Sequence, residues 1–95
     1  MIISQLSIAP VGVGTSLSKY VKIAIDVLKK NNINFKNNDM ATVIETEDLE
    51  TLFTVVAEAH QAVIDAGAIR VITELKIDDR RDKNATIDTK LNAIK

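Results

Sequence analysis

The chain has 95 residues, a length typical of one domain (residues 1–95), and 46% of them are apolar, which excludes a disordered chain. A formal net charge of −1, with both signs mixed along the chain, argues against nucleic acid as a partner; the absence of cysteine excludes disulfides, thiolate metal sites and cysteine nucleophiles. Because the sequence shows neither a signal peptide nor the roughly 20 apolar residues of a membrane helix, we expect a cytoplasmic protein with no membrane partner.

The chain begins with a predicted strand and a helix. Residues 2–9 alternate in side-chain character as a strand does, and Pro10 is expected to end the strand. Apolar side chains then recur at three- and four-residue spacing, which indicates a helix with one buried face. Asn31 and Asn32 are expected to end this helix, because asparagine tolerates the left-handed conformation. The candidates for its N-cap are Thr15, Ser16 and Ser18.

Two short strands and a second helix come next. Residues 33–36 and 40–46 are predicted as strands, and the turn residues between them indicate a hairpin. Asp48 is the expected N-cap of the second helix, which also carries an apolar stripe. Gly67 is its expected C′ residue, because glycine adopts positive φ without strain.

A fourth strand, a run of charged residues and a short helix complete the chain. Residues 69–77 alternate as a strand, and Thr86 is the expected cap of a helix that docks on the protein or frays. The charged run is either a solvated segment or an ion-pair cluster between subunits, and phosphate binding is the weaker third reading. This run consists of Asp78, Asp79, Arg80, Arg81, Asp82 and Lys83.

The predicted order is β-α-β-β-α-β followed by a C-terminal helix. It predicts an α+β, ferredoxin-like sandwich with a four-stranded antiparallel sheet. Right-handed crossovers place both long helices on one face of the sheet, and we expect no cover from this chain on the other face. Apolar side chains on an uncovered face predict a partner, which we expect to be a second copy of the chain. The residues expected there are Ile3, Gln5, Ser7, Val43, Glu45, Ile72 and Glu74.

No residue pattern typical of catalysis or metal binding is present. Residues 10–16 lack both glycine-rich phosphate-binding patterns and read as a connecting loop. His60, the only histidine, borders the second helix's apolar stripe and is expected to be partly buried and hydrogen-bonded. The acidic residues 45–50 do not have the spacing of a calcium loop. We therefore expect no enzyme activity, no metal and no cofactor.

Glu45 is the most informative polar residue of the chain. A carboxylate in the middle of an apolar strand needs a hydrogen-bond partner or solvent. Ser7, Thr42 and Thr73 lie on strands that neighbour it in the predicted fold. The four side chains either form a small hydrogen-bonding pocket at a subunit interface or are ordinary polar residues of the sheet surface, and both readings remain open.

Four segments in the same order resemble the thiamine-binding protein family. They are residues 10–20, 40–45, the pair Ala59–His60 and the charged run 78–83. The resemblance implies a ferredoxin-like subunit that forms dimers through its sheets and then a homotetramer, with the charged run as a contact between subunits. It also implies binding of thiamine or its hydroxymethylpyrimidine part, without an assigned catalytic activity.

With such a ligand, Glu45 would accept hydrogen bonds from the aminopyrimidine edge, and Ser7 with Thr42 or Thr73 would complete the set. The chain departs from the family pattern at Ala41 and Thr46, where family members usually carry glycine. The alternative function is a structural or regulatory homo-oligomer without a small-molecule ligand. An enzyme acting on a small metabolite has no supporting pattern.

Overall fold

The structure is a computed structural model and describes residues 1–14 and 17–95. Its elements confirm the predicted ferredoxin-like order with a short C-terminal helix. Among the described residues, no helix is both long and apolar enough to cross a membrane. The elements are β1 (Ile2–Val11), α1 (Ser18–Lys30), β2 (Asn34–Asn37), β3 (Thr42–Thr46), α2 (Leu49–Asp65), β4 (Arg70–Asp78) and α3 (Ile87–Asn92).

The four strands form one sheet in the order β2-β3-β1-β4, and every neighbouring pair is antiparallel. Helices α1 and α2 pack against each other and against one face of this sheet. The core lies in this layer, because the alternating apolar residues of the strands meet the apolar stripes of both helices. Ile44 of β3, Leu52 and Ala59 of α2 and Leu28 of α1 have at most 1% of their surface exposed.

Local chemistry fixes the ends of the helices, largely as the sequence predicts. Asp48 caps α2, because its carboxylate accepts a hydrogen bond of 2.7 Å from the N–H of Thr51. Asn32 and Gly67, which follow α1 and α2, adopt φ values of 55° and 114°. Thr86 begins α3 with a capping box.

The start of α1 differs from the expectation. Ser18 is the first helical residue, not the cap, and Leu17 stands at the N-cap position without a side-chain hydrogen bond. The other two predicted caps, Thr15 and Ser16, lie outside the described residues.

The bounds of all four strands differ from the predicted ones: β2 and β4 begin and end one residue later, and the end of β1 and the start of β3 each move by two residues. β1 continues through Pro10 to Val11, because proline is tolerated in a strand where its nitrogen faces no partner. β3 begins only at Thr42, because the preceding residues form a turn in which the N–H of Asn38 donates to the carbonyl of Ala41 at 2.9 Å. β1 is therefore ten residues long and β3 five.

The sequence led us to expect a bare face of the sheet opposite α1 and α2, and this expectation is wrong. The strand register confirms that all seven predicted residues lie on this face, but α3 returns over one end of it. Ile87 and Leu91 of α3 lie beside Ile3 and Val43, and Ile3 is only 6% exposed. At the other end, Val11 and Ile72 remain 38% and 46% exposed. Half of the face is thus covered, and half is free.

The cap of α2 predicts an acid-sensitive contribution to stability. Hydrogen bonds from Thr51 lower the pKa of Asp48 below its ordinary value. A carboxyl group with a lowered folded-state pKa stabilises the fold above its unfolded pKa of about 3.9 and loses that contribution as the pH falls through the lower folded value. We expect Asp48→Asn, which keeps a neutral cap, to lose less stability on acidification than the unsubstituted protein.

Urea unfolding of both proteins at neutral pH and below the ordinary pKa of aspartate measures this difference. Asp39→Asn, in the turn between β2 and β3, is the matched control and should follow the unsubstituted protein. Identical acid losses for Asp48→Asn and the unsubstituted protein would contradict the prediction.

Candidate functional site

A cavity lies where β1 extends past Thr42, the first residue of β3. The last residue pair between these strands is Leu6 with Thr42, whereas β1 continues to Val11 along β4. The turn before β3 and helix α1 close over this place and leave a partly open cavity of about 100 Å³. The unequal lengths of two neighbouring strands therefore create the cavity.

The cavity has apolar walls and a polar rim. Its apolar residues come from β1 and from one side of α1, and Ala41 and Met40 of the turn stand at the edge. Met40 is 87% exposed, so a flexible thioether lies at the opening. This mixture of apolar walls with a few polar groups is typical of small-molecule sites. The walls are Leu6, Ile8, Val21, Ala24, Ile25 and Leu28, and the polar residues are Ser7, Asn38, Asp39 and Thr42.

The structure brings together two of the four residues predicted as a ligand site. Ser7 and Thr42 both line the cavity, and the Thr42 hydroxyl also donates to Asn37 at 3.2 Å. Glu45 and Thr73 do not line it. The register places the side chains of Ser7 and Glu45 on the face opposite α1 and α2, whereas those of Thr42 and Thr73 point toward these helices. Thr73, on β4, contacts His60 instead of the cavity. A binding role for any of the four stays a prediction.

Glu45 has its hydrogen-bond partners within its own chain. Its Oε2 accepts a hydrogen bond of 2.6 Å from Nδ2 of Asn34, and its Oε1 accepts one of 2.5 Å from the main-chain N–H of Ile87. The side chain is buried, with 8% of its surface exposed. Ile87 is the first residue of α3, so the carboxylate satisfies an N–H that has no partner inside the helix. Glu45 therefore fastens α3 to the sheet.

His60 and Thr73 form a second polar contact, between α2 and β4. Nδ1 of His60 lies 2.6 Å from the Thr73 hydroxyl, and both residues are half-buried. This geometry agrees with the prediction of a partly buried, hydrogen-bonded histidine. Among the described residues, no group of three histidine or acidic side chains is placed to hold a metal ion.

The charged run begins at Asp78, the last residue of β4, is exposed, and contains two ion pairs between its own residues. Arg80 contacts both carboxylate oxygens of Asp82, at 2.6 and 2.9 Å, and Arg81 contacts Asp79 at 2.7 Å. These hydrogen bonds hold the pKa values of the Asp79 and Asp82 carboxyl groups below their ordinary range. The first carboxylate of the run, Asp78, pairs with Lys90 of α3. The predicted role of residues 78–83 in contacts between subunits stays a prediction.

Sequence reasoning missed part of the cavity. It treated residues 38 and 39 only as turn formers, and it assigned Val21 and Ala24 only to the core-facing stripe of α1. The available signal was the difference in length between β1 and β3, but the predicted boundaries made the two strands nearly equal.

Comparisons with known proteins give consistent results. A family model described as thiamine-binding protein matches residues 4–95. A UPF0045 protein of Methanothermobacter thermautotrophicus is 45% identical over 96 residues, covering 100% of this chain and 97% of that protein. One of Bacillus subtilis is 36% identical over 99 residues, covering 99% and 94%.

Solved structures show the same fold. A hypothetical protein of Methanocaldococcus jannaschii has a TM-score of 0.91 at 45% identity and covers 98% of this chain and 94% of its own. A Thermotoga maritima protein, to which a role in thiamine biosynthesis or salvage is assigned only provisionally, has a TM-score of 0.83 and covers 99% of this chain and 98% of its own. At 18% identity, the latter likeness concerns the fold alone.

The contacts of Glu45 predict a specific role for its charge. Glu45→Gln replaces one acceptor oxygen by an amide, and Asn34 can rotate its carboxamide to accept from it. The hydrogen bond from the Ile87 N–H then ends on a neutral oxygen and no longer on a carboxylate, which weakens it by about 1 kcal/mol. We expect faster amide hydrogen exchange across α3 and a lower free energy of unfolding.

The control is Glu47→Gln, since Glu47 is exposed and forms no hydrogen bond among the described residues. Amide exchange followed by mass spectrometry would compare the C-terminal peptides of both variants. Equal protection of α3 in Glu45→Gln and Glu47→Gln would remove Glu45 as the residue that fastens it.

Proposed function

The chain belongs to the thiamine-binding protein family, and from this premise we propose that it is a non-catalytic cytoplasmic protein that binds thiamine or its hydroxymethylpyrimidine part. The observation that carries this proposal is the cavity between α1 and the turn before β3. It joins apolar walls to polar groups, and one of these is the carboxylate of Asp39.

The size of the cavity suits a single ring. It measures about 100 Å³, and an apolar cavity of roughly 150 Å³ is large enough for benzene. A pyrimidine ring with its small substituents fits this scale when part of it stays at the opening. The thiazolium ring of thiamine would then remain outside, so the same cavity accepts thiamine and the free pyrimidine.

The polar rim complements an aminopyrimidine. The exocyclic amino group donates, and the ring nitrogens accept hydrogen bonds. Asp39 accepts, whereas the hydroxyl of Thr42, whose side chain points toward α1, donates or accepts as the ring requires. Ser7 borders the cavity, but its side chain lies on the opposite face of the sheet. Glu45 contributes to this proposal only indirectly, through α3. The walls are aliphatic, and without an aromatic wall we expect modest affinity.

Filling the cavity tests the proposal. Ala24 is half-buried on the side of α1 that faces the cavity, so Ala24→Leu places a larger side chain where the ring would lie. We expect hydroxymethylpyrimidine and thiamine to bind the unsubstituted protein, and Ala24→Leu to bind both at least about tenfold more weakly. Isothermal calorimetry and thermal shift measure both effects.

Ala57→Leu on the exposed side of α2 is the matched control and should bind normally. Recovery of both ligands unchanged in mass after incubation checks that the protein is non-catalytic. No heat and no thermal shift at millimolar ligand would refute the binding function. The remaining candidate would then be the structural homo-oligomer, which the free half of the sheet favours.

The free half of the sheet supports the second part of the proposal, a homotetramer. Val11 and Ile72 are exposed there, beside Ala9, and a second copy of the same face would cover them. The charged run lies at the opposite end of β4 from Ile72 and extends away from this strand. We propose that sheets form the dimer and that the charged run joins dimers.

Removing two guanidinium groups tests the role of the run. The double variant Arg80→Ala with Arg81→Ala leaves Asp79 and Asp82 without their partners. We expect the mass measured by light scattering to shift from tetramer toward dimer as the protein is diluted. The control, Lys22→Ala with Lys29→Ala, removes two exposed charges of α1. An unchanged tetramer at every concentration would count against a contact role for the run.

A further inference from the structure

One stretch of β1 has a neighbouring strand on only one side. Residue pairs join β1 to β4 from Ile3 to Val11, but they join β1 to β3 only from Ile2 to Leu6. The stretch from Ser7 onward therefore has β4 on one side and the cavity on the other. Ser7 and Ile8 line that cavity.

The alternation of the main chain shows which groups face the open side. In an antiparallel sheet, the N–H and C=O of one residue point to the same neighbour, and those of the next residue point to the other neighbour. Along β1, the residue pairs with β3 begin and end at even-numbered residues, and those with β4 begin and end at odd-numbered residues. The main-chain N–H and C=O of even-numbered residues thus point toward β3. Pro10 agrees, because its nitrogen has no hydrogen to give to Val71 of β4.

Ile8 is the even residue that follows the last pair with β3. Its N–H and C=O therefore point toward the place where β3 would have continued. In the turn that occupies this place, the N–H of Asn38 donates to the carbonyl of Ala41. Among the described residues, no hydrogen bond joins this turn to Ile8. A half-buried donor and acceptor therefore stand side by side at the cavity.

We propose that the main-chain N–H and C=O of Ile8 bind the amino-substituted edge of the pyrimidine, which takes the position of a missing strand residue. The inference rests on the proposed function and names its recognition element. A 4-aminopyrimidine carries a ring nitrogen that accepts and, on the adjacent carbon, an amino group that donates. The Ile8 N–H donates to the ring nitrogen, and the amino group donates to the Ile8 carbonyl, as the two residues of a strand pair do.

This recognition defines a ligand class. A planar ring with adjacent donor and acceptor satisfies both main-chain groups, whereas a ring without the amino group leaves the Ile8 carbonyl unpaired. A buried polar group left unpaired by a ligand costs affinity in proportion to its desolvation. The site therefore selects aminopyrimidines over pyrimidines of the same shape, and the side chains at the rim are secondary to the main chain.

Amide exchange and chemical shifts of the ¹⁵N-labelled protein test the inference without any substitution. In the free protein, we expect the Ile8 amide to exchange faster than the amides of Ser7 and Ala9, which face β4. Addition of hydroxymethylpyrimidine should protect the Ile8 amide and shift its signal. The analogue that lacks the amino group should bind at least about tenfold more weakly.

A pair of variants adds a second measurement. Ile8→Pro removes the N–H that faces the cavity and leaves the hydrogen bonds of β4 in place, so binding should be lost. Ile8→Val keeps the N–H and should bind normally. Two results would overturn this inference but leave the proposed function standing. One is calorimetric heat with hydroxymethylpyrimidine without a change at the Ile8 amide, and the other is equal binding of the analogue that lacks the amino group. Absence of any heat would overturn the proposed function and this inference with it.

Discussion

The unequal reach of β1 and β3 is the constraint on which the rest of the structure depends. β1 is one of the two inner strands, pairs with both β3 and β4, and is twice as long as β3. A sheet cannot leave a strand edge inside a protein without covering it, because main-chain polar groups need partners. Helix α1 and the turn before β3 provide this cover only in part. The cavity is the space that remains.

Helix α3 covers apolar side chains on the face of the sheet opposite α1 and α2. The sheet there carries Ile3 and Val43, and six helical residues cover them. A helix so short is not stable alone, so its position depends on side chains that hold it from outside. Glu45 binds its first N–H, and Asp78 binds Lys90 farther along. The result divides the face into a covered half and a half that remains exposed.

The sequence allowed the fold to be predicted because its signals are local. Alternation gives the faces of the strands, and Asp48, Gly67 and Thr86 mark helix ends through short-range hydrogen bonds or positive φ. The residues of the candidate site were harder to predict from the sequence. Thr42 and Thr73 share small polar character with Ser7, but a difference of one position decides which face a side chain occupies. One of the two partners of Glu45 is the N–H of Ile87, far along the chain, and no local pattern encodes that contact.

Pro10 has a consequence beyond the length of β1. An unpaired strand edge invites the addition of a foreign strand, and this is how many sheet proteins begin to aggregate. Here the exposed edge offers the single N–H of Ile8 before a residue without one, and Gly12, with φ of 85°, then bends the chain away. An extended peptide finds too few donors to form a ladder. Pro10 therefore limits strand addition at the same edge of β1 that borders the cavity.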